Sequence, residues 1–282
     1  MSLRSDTRAV APVLGAVLLF GIAVVAFSGY QATVVPNQNA EVEYNHFQEV
    51  KDQMVAFRAL MYSAAQTNSI RTASVDLGTH YPARLFGINP PPAAGTLATS
   101  ESTYEIEINN SNDSSDSISI RFLNYTPNYN EFQPGTTVYE HGLLYLTSPN
   151  GEHILLPDTG SQPLWENNTL RLVAVHGGIK QGGTTAASVD ISTHNIITTS
   201  QGNGPPETGP PPSVPPGKTK HISGNVEIIT LPTYLSQETW DSLLQGDEPE
   251  ADVDPVSDIE PSRVTITPPD SATVVIYVVE IS

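Results

Sequence analysis

The side chains that could do chemistry in this 282-residue chain are scattered rather than gathered into a known motif. No Gly-x-Ser-x-Gly elbow, phosphate-binding loop, dinucleotide glycine fingerprint or His-Glu-x-x-His helix occurs. The absence of cysteine excludes a thiolate zinc site, a cysteine nucleophile and a disulfide scaffold. We therefore expect no catalytic, metal-binding or cofactor-binding residue, and no cofactor. An enzyme whose residues converge only in the folded chain stays open as the alternative.

Histidine is the side chain best suited to acid–base chemistry at neutral pH, and no two histidines here are four residues apart. Two of them follow an acid directly, in Glu140-His141 and Glu152-His153. Neighbouring residues of a strand point to opposite faces, which favours solvent-exposed histidines at strand edges over a catalytic dyad. The full set is His46, His80, His141, His153, His176, His194 and His221.

An acidic segment, Gly246–Glu260, carries seven acids and no base. A solvated loop is the usual form of such a run. Calcium is the alternative, because Asp252 and Asp254 have the spacing of the first two ligands of a calcium loop. The pattern then breaks, since Val256 and Ser257 stand where a further Asp or Asn and a Gly are needed.

The overall charge is strongly negative, with 30 acids, 12 bases and a formal net charge of −18. Nucleic acid is therefore excluded as an expected partner, because phosphate binding needs a basic face. A surface of this kind repels itself in dilute buffer and is better tolerated where concentrated salt screens the charges. The composition thus favours a halophilic protein.

An uncharged apolar stretch runs from Ala9 to Phe27. As a helix it would span about 29 Å at 1.5 Å per residue, close to the hydrocarbon thickness of a bilayer. Arg4 and Arg8 precede it, and acids follow it, so the positive-inside rule places Met1 in the cytoplasm and everything after Tyr30 outside. We predict a transmembrane helix at residues 10–30, after a leader peptide at residues 1–9.

The residues around the start of this helix read Arg8-Ala9-Val10-Ala11-Pro12-Val13-Leu14-Gly15. This string resembles the processing site of archaeal type IV pilins of the salt-loving lineages, and the resemblance covers about a tenth of the chain. In that family a prepilin peptidase removes the basic leader and the hydrophobic helix is retained. The string departs from the wider pattern, because Leu14 (or Val13) replaces a glutamate at the fifth mature position, and Ala11 replaces a common serine.

The resemblance implies cleavage at the group Arg8, Ala9 and Val10, after Ala9 or one residue earlier. It also implies three partners, namely the membrane, a prepilin peptidase and, if the protein assembles, other pilin subunits. The expected function is that of a non-enzymatic, membrane-anchored surface protein, either a minor pilin or an adhesin-like subunit. The expected location is the cell membrane, with the carboxy-terminal domain outside, or an extracellular filament. Competing classes are a secreted or membrane-tethered hydrolase, a solitary anchored domain and a solute-binding module, which should show two α/β lobes.

A second helix is predicted at residues 37–66, where apolar side chains recur every three or four residues in Phe47, Val50, Met54, Phe57 and Met61. Pro36 is expected to kink or divide a continuous helix, which would place Glu41 and Glu43 in a first turn. The stripe either packs on the following domain, the favoured interpretation, or joins neighbouring subunits as in a stalk.

Residues 70–200 show the period of two and the frequent turn residues of β structure, so the predicted fold is mainly β, an antiparallel β-sandwich-like ectodomain behind the amino-terminal helix. The predicted strands are Ser74–Leu77, Arg84–Ile88, Tyr104–Asn109, Ser117–Leu123, Gly142–Leu146, His153–Leu156, Leu170–Val175 and Val189–Ile197.

Residues 201–217 hold seven prolines and four glycines, which predicts a loop or hinge within one β unit. Residues 218–282 are expected to complete the same sheets. They contain a predicted helix, Ser236–Leu244, and three predicted strands, of which the last is covered on both faces. These strands are His221–Leu231, Arg263–Thr267 and Thr273–Ile281.

Four sequons would offer glycosylation sites outside the cell, each with Ser or Thr two residues after the asparagine. They begin at Asn109, Asn112, Asn124 and Asn167.

Overall fold

The computed structural model describes residues 10–85, 87–111, 115–156, 164–200, 219–223, 225–244, 249–254, 261–269 and 272–282. The predicted leader with Arg8 and Ala9, the loop at 201–217, most of the acidic segment and Asn112 lie outside these residues. Three α-helices are present in the described ranges, namely α1 (Val10–Gly29), α2 (Val35–Thr67) and α3 (Gln237–Leu243).

The amino-terminal helix continues past Pro36 instead of breaking there. A π-helical turn, Tyr30–Val34, joins α1 to α2, and the backbone N–H of Val35 donates to the carbonyl of Tyr30 five residues earlier. Pro36 lacks an N–H and its ring would crowd the carbonyl four residues before it, so a widened turn directly upstream accommodates the proline. The predicted division was wrong, and neither Glu41 nor Glu43 lies in a first turn.

The described residues form seventeen β-strands. Their bounds are β1 (Arg71–Asp76), β2 (Ala94–Thr99), β3 (Tyr104–Asn110), β4 (Ser115–Ile120), β5 (Leu123–Asn128), β6 (Thr136–Glu140), β7 (Leu143–Thr147), β8 (His153–Leu155), β9 (Trp165–Glu166), β10 (Thr169–His176), β11 (Lys180–Gly183), β12 (Ala186–Ser200), β13 (Thr219–Ser223), β14 (Val226–Thr233), β15 (Glu250–Val253), β16 (Ser262–Thr267) and β17 (Thr273–Ile281).

These strands make three sheets. The central sheet has the order β1-β12-β17-β10-β9, with β13 paired to the far end of β12. A second sheet runs β11-β2-β5-β6-β7-β8, and a third runs β15-β16-β14-β3-β4. Pairing is antiparallel except for β10 with β17 and β12 with β13. The predicted mainly-β, sandwich-like fold behind a long apolar helix is confirmed.

Both faces of the central sheet are covered. On one face Val173, Val189 and Ile281 pack with the buried stripe of α2 and with residues of the second sheet. On the other face Leu172 and Ile276 pack with the third sheet. Burial on both sides is what the continuous apolar run of β17 predicted.

The strands after residue 218 complete the sheets built by the earlier strands, as the sequence predicted. β17 lies between β12 and β10, β13 pairs with β12, and β14 pairs with β3. The segments before and after the proline-rich stretch therefore share sheets and contribute to both core clusters.

Two predicted strands were wrong. The predicted strand His221–Leu231 is divided into β13 and β14, which lie in different sheets. The described residues of Arg84–Ile88 form no strand and belong to the loop between β1 and β2. Pro82 and Pro90 border the segment, and its apolar side chains Leu85 and Ile88 face outward, so no sheet edge receives it.

Candidate functional site

The first half of the long helix presents apolar side chains to its surroundings on every side. Leu19 is 70% exposed and Phe20 is 72% exposed. The helix from Pro12 to Thr67 contains a window with a mean hydropathy of 2.2, none of it buried, that is long and apolar enough to cross a membrane. Twenty residues in α1 give a length of about 30 Å.

The second half of the helix is the core helix of the β domain. The predicted stripe of Phe47, Val50, Met54, Phe57 and Met61 is buried throughout and packs on the central and second sheets. The favoured interpretation of that stripe is confirmed. A single helix thus joins the exposed apolar segment to the centre of the β domain.

A buried acid, Glu43, ties this helix to two loops. Its Oε1 accepts the backbone N–H of Asn130 at 2.8 Å and the hydroxyl of Tyr81. Its Oε2 accepts the backbone N–H groups of Glu131 at 2.9 Å and of Phe132 at 2.6 Å. Four donors replace the water that a carboxylate loses on burial, so Glu43 clamps both loops to α2.

The β1–β2 loop, residues 77–93 without Phe86, follows the helix from this clamp toward α1. Arg84 Nε donates to Gln38 Oε1 at 3.2 Å. Further along, Gln31 Nε2 donates to the carbonyl of Ile88 at 2.7 Å, and the N–H of Ile88 donates to Gln31 Oε1 at 2.9 Å. The loop is therefore held beside the π-helical turn, since helix side chains bond both the backbone of Ile88 and the side chain of Arg84.

A second buried polar cluster lies at the turn between β6 and β7. His141 and Gly142 have φ of 53° and 98°, as in the two-residue hairpin turns that require two positive φ values. Glu140 accepts from Thr233 Oγ1 at 2.6 Å and from Tyr145 Oη at 2.8 Å, and His141 Nε2 lies 2.6 Å from the carbonyl of Pro232. The prediction of a solvent-exposed histidine here was wrong, because the hairpin end is covered by the strand β14.

Burial shifts the pKa of both Glu140 and His141. Loss of water raises the pKa of Glu140 to about 7, although its three hydrogen-bond donors oppose the shift. Loss of water lowers the pKa of His141 to about 4, against the carbonyl of Pro232, which raises it. Both side chains are thus mainly neutral between about pH 4 and pH 7, and their place in the core assigns them to packing the hairpin.

Another pair of histidines meets at the surface of the central sheet. The rings of His176 and His194 stack with centroids 4.2 Å apart, and His194 Nδ1 lies 3.4 Å from Glu280 Oε2. The side chains of His194 and Glu280 are both nearly half exposed. Within the part of the chain that the structure describes, no group of three or more His, Asp or Glu residues has metal-site geometry.

The predicted processing and glycosylation residues are spread over the molecule. Val10 begins α1. Asn109 lies in β3, and Asn124 lies in β5 with its Oδ1 buried. Asn167 is exposed at the turn between β9 and β10, where its φ is 50°. The structure therefore presents Asn167 on a surface turn, whereas Asn109 and Asn124 lie within paired strands.

Sequence reasoning missed the clamp of Glu43 and the fixed position of the β1–β2 loop. Glu43 does fall one turn before Phe47 on the buried stripe, which was a usable signal. Three of its four donors follow 87 to 89 residues later, in a segment that reads only as a turn, and Tyr81 follows 38 residues later. No local pattern therefore pairs the two.

Comparisons with known proteins add one relative. No protein-family model matches the chain, and no solved structure matches it significantly. An uncharacterized protein of Archaeoglobus fulgidus is 32% identical over 151 residues, which cover 51% of this chain and 26% of that protein. The chain thus aligns with about a quarter of the relative's length. What the comparisons show is that this chain has an archaeal homologue.

Proposed function

We propose that the protein is a non-enzymatic, membrane-anchored cell-surface protein of pilin-like type, a minor or adhesin-like subunit of a type IV pilus system. The observation that carries the proposal is the double role of one helix. Its first half is apolar and exposed on all sides, and its second half is the core helix of a β domain.

The exposed half of the helix must be shielded from water, because a largely apolar helix of twenty residues is strongly unfavourable in water. Lipid supplies that shielding in the anchored state. Copies of the same helix would supply it in a filament. Because the helix runs unbroken into the domain core, a displacement of the anchor moves the β domain with it.

The pilin-like part of the proposal rests on the string from Arg8 to Gly15 and is consistent with the archaeal relative. A prepilin peptidase would remove residues 1–9 and leave α1 as the first element of the mature chain. The β domain would then face outward as the part that contacts surfaces or partners.

Assembly would use the small residues of α1. A side chain at Gly15 or Gly21 would meet nothing within 4 Å in the single chain, so both positions are free to receive a neighbouring helix. The double substitution Gly15→Leu with Gly21→Leu should preserve membrane insertion, because hydrophobicity rises, and should abolish ordered filaments. Negative-stain microscopy and membrane fractionation of an archaeal expression host measure the two outcomes.

The matched control is Val17→Leu with Val25→Leu, two exposed apolar positions of the same helix that already carry bulky side chains. This control should insert and assemble like the wild type. Filaments formed by the glycine variant would contradict assembly through these residues. If the wild type itself stays in the membrane and forms none, the protein is a solitary anchored domain, the second candidate.

A further inference from the structure

We propose that the β1–β2 loop is a second membrane contact, with Leu85 and Ile88 dipping into the outer leaflet beside the transmembrane helix. This inference rests on the proposed membrane anchor and extends it to the β domain. The first support is the exposure of these two apolar side chains. Leu85 is 90% exposed and Ile88 is 73% exposed, although the surrounding loop is well bonded.

The position of the two side chains is the second support. Leu85 and Arg84 line a shallow cleft with Ala26, Phe27 and Tyr30, which belong to the last turn of α1 and the start of the π-helical turn. An arginine at this level can keep its charge at the lipid headgroups while its stem lies on the apolar surface. If α1 crosses the bilayer, this level is its outer boundary, where a tyrosine prefers to lie. The apolar surface of the helix and that of the loop are therefore continuous.

The fixed backbone of the loop is the third support. Gln31 bonds both the N–H and the carbonyl of Ile88, which holds this part of the loop against the helix. The carboxylate of Glu43 secures Tyr81 about 18 Å farther along the helix, at 1.5 Å per residue. Two attachments at different heights set the direction of the loop toward the membrane, so the apolar side chains cannot reach the core of the domain.

The partner that fits is a lipid surface. Two aliphatic side chains on a rigid loop gain burial when they enter the acyl–headgroup boundary, and the adjoining helix already brings them there. Contact with a second copy of the chain would need a complementary apolar patch on that copy to face Leu85 and Ile88. Such a contact is the competing outcome of the test.

The test uses the full chain, whose lack of cysteine allows single labels. Leu85→Cys, Ile88→Cys, Ile70→Cys and Leu19→Cys are each labelled with a nitroxide. The proteins are then reconstituted in vesicles of phosphatidylcholine and phosphatidylglycerol. Ile70 is the matched control, because it is 74% exposed and lies beyond the far end of α2, about 55 Å from Tyr30 along the helix axis. Leu19 is the reference inside the span.

The measurement is the relative accessibility of each label to oxygen, which concentrates in lipid, and to a water-soluble nickel chelate. We expect the labels at Leu85 and Ile88 to favour oxygen several-fold more than the label at Ile70. Equal values at Ile88 and Ile70, with Leu19 in lipid, would overturn the loop contact and leave the anchor standing. A water-exposed Leu19 would overturn both. Spin–spin broadening at Leu85 and Ile88, with both reagents excluded, would overturn the lipid contact in favour of a contact between copies.

Discussion

Two buried acids, Glu43 in α2 and Glu140 at the end of β6, each hold separate parts of the fold together. Glu43 receives four donors and joins the long helix to two loops. Glu140 receives three donors and fills the end of a hairpin beneath β14. Both acids hold structural elements together, and the cost of burying each carboxylate is offset by hydrogen bonds made by groups remote in sequence.

Glu140 should make the stability of the domain depend on pH. Its folded pKa of about 7 lies above the ordinary 4.5, so the proton stabilises the fold below about pH 4.5, and that stabilisation is lost as the pH rises through about 7. His141, with a pKa of about 4, acts in the opposite sense, since its contribution is lost as the pH falls from 6.5 through about 4. The two effects largely offset each other in the wild type between about pH 4.5 and 6.5.

Glu140→Gln keeps the neutral shape and removes only the first effect. The variant should gain about 2–3 kcal/mol relative to the wild type between pH 5 and pH 8, at about 1.4 kcal/mol per pKa unit. Denaturant unfolding of the detergent-solubilised protein at both pH values measures the difference. Glu152→Gln, at an exposed turn, is the control and should show no such trend. A Glu140→Gln difference that does not change with pH would mean that this carboxyl titrates normally.

At the scale of elements, the patterns that predicted structure correctly are those set by local burial. The stripe from Phe47 to Met61 and the apolar run of β17 each report one environment, a helix face or a doubly covered strand. The helix Ser236–Leu244 was also predicted, because Ser236 caps it by accepting from the N–H of Thr239.

The patterns that failed depend on distant partners. Leu85 and Ile88 have the spacing and types of a strand segment, yet Gln31 and the flanking prolines hold them outside every sheet. Pro36 is a local exception: it was expected to kink or divide the helix, and the π-helical turn directly before it accommodates the proline in a continuous helix. Of the candidate site, the apolar helix was predicted, whereas the loop beside it was not, since its position follows from contacts 57 residues apart.

The central role of α2 in the core predicts a large effect of a single truncation. Phe57→Ala should lower the free energy of unfolding of the β domain by about 3–5 kcal/mol, because a fully buried aromatic side chain leaves a cavity. Tyr44→Ala is the control on the same helix. Its ring is half exposed and touches Phe132 edge-on, so about 1 kcal/mol or less is expected. Equal effects of the two variants would contradict the assignment of the Phe57 face to the core.

In the whole molecule, an exposed apolar helix continues without interruption into a β domain of three sheets. The central sheet receives strands from both sides of the proline-rich stretch. It has one core cluster around α2 on one face and a second cluster against the third sheet on the other. The net charge of −18 predicts a halophilic protein, and this stays a prediction. The surface of the β domain would carry most of that charge.

We propose that α1 is retained as a membrane anchor after a prepilin peptidase removes the leader. The test of this proposal is mass spectrometry of the mature amino terminus. The protein is taken from the membrane and extracellular fractions of a host with an active prepilin peptidase. We expect a chain that begins at Val10, or at Ala9 if cleavage falls one residue earlier. An intact Met1 would contradict processing of the pilin type. A terminus near Ser28 would show that the helix is an ordinary secretory signal and would contradict the anchor itself.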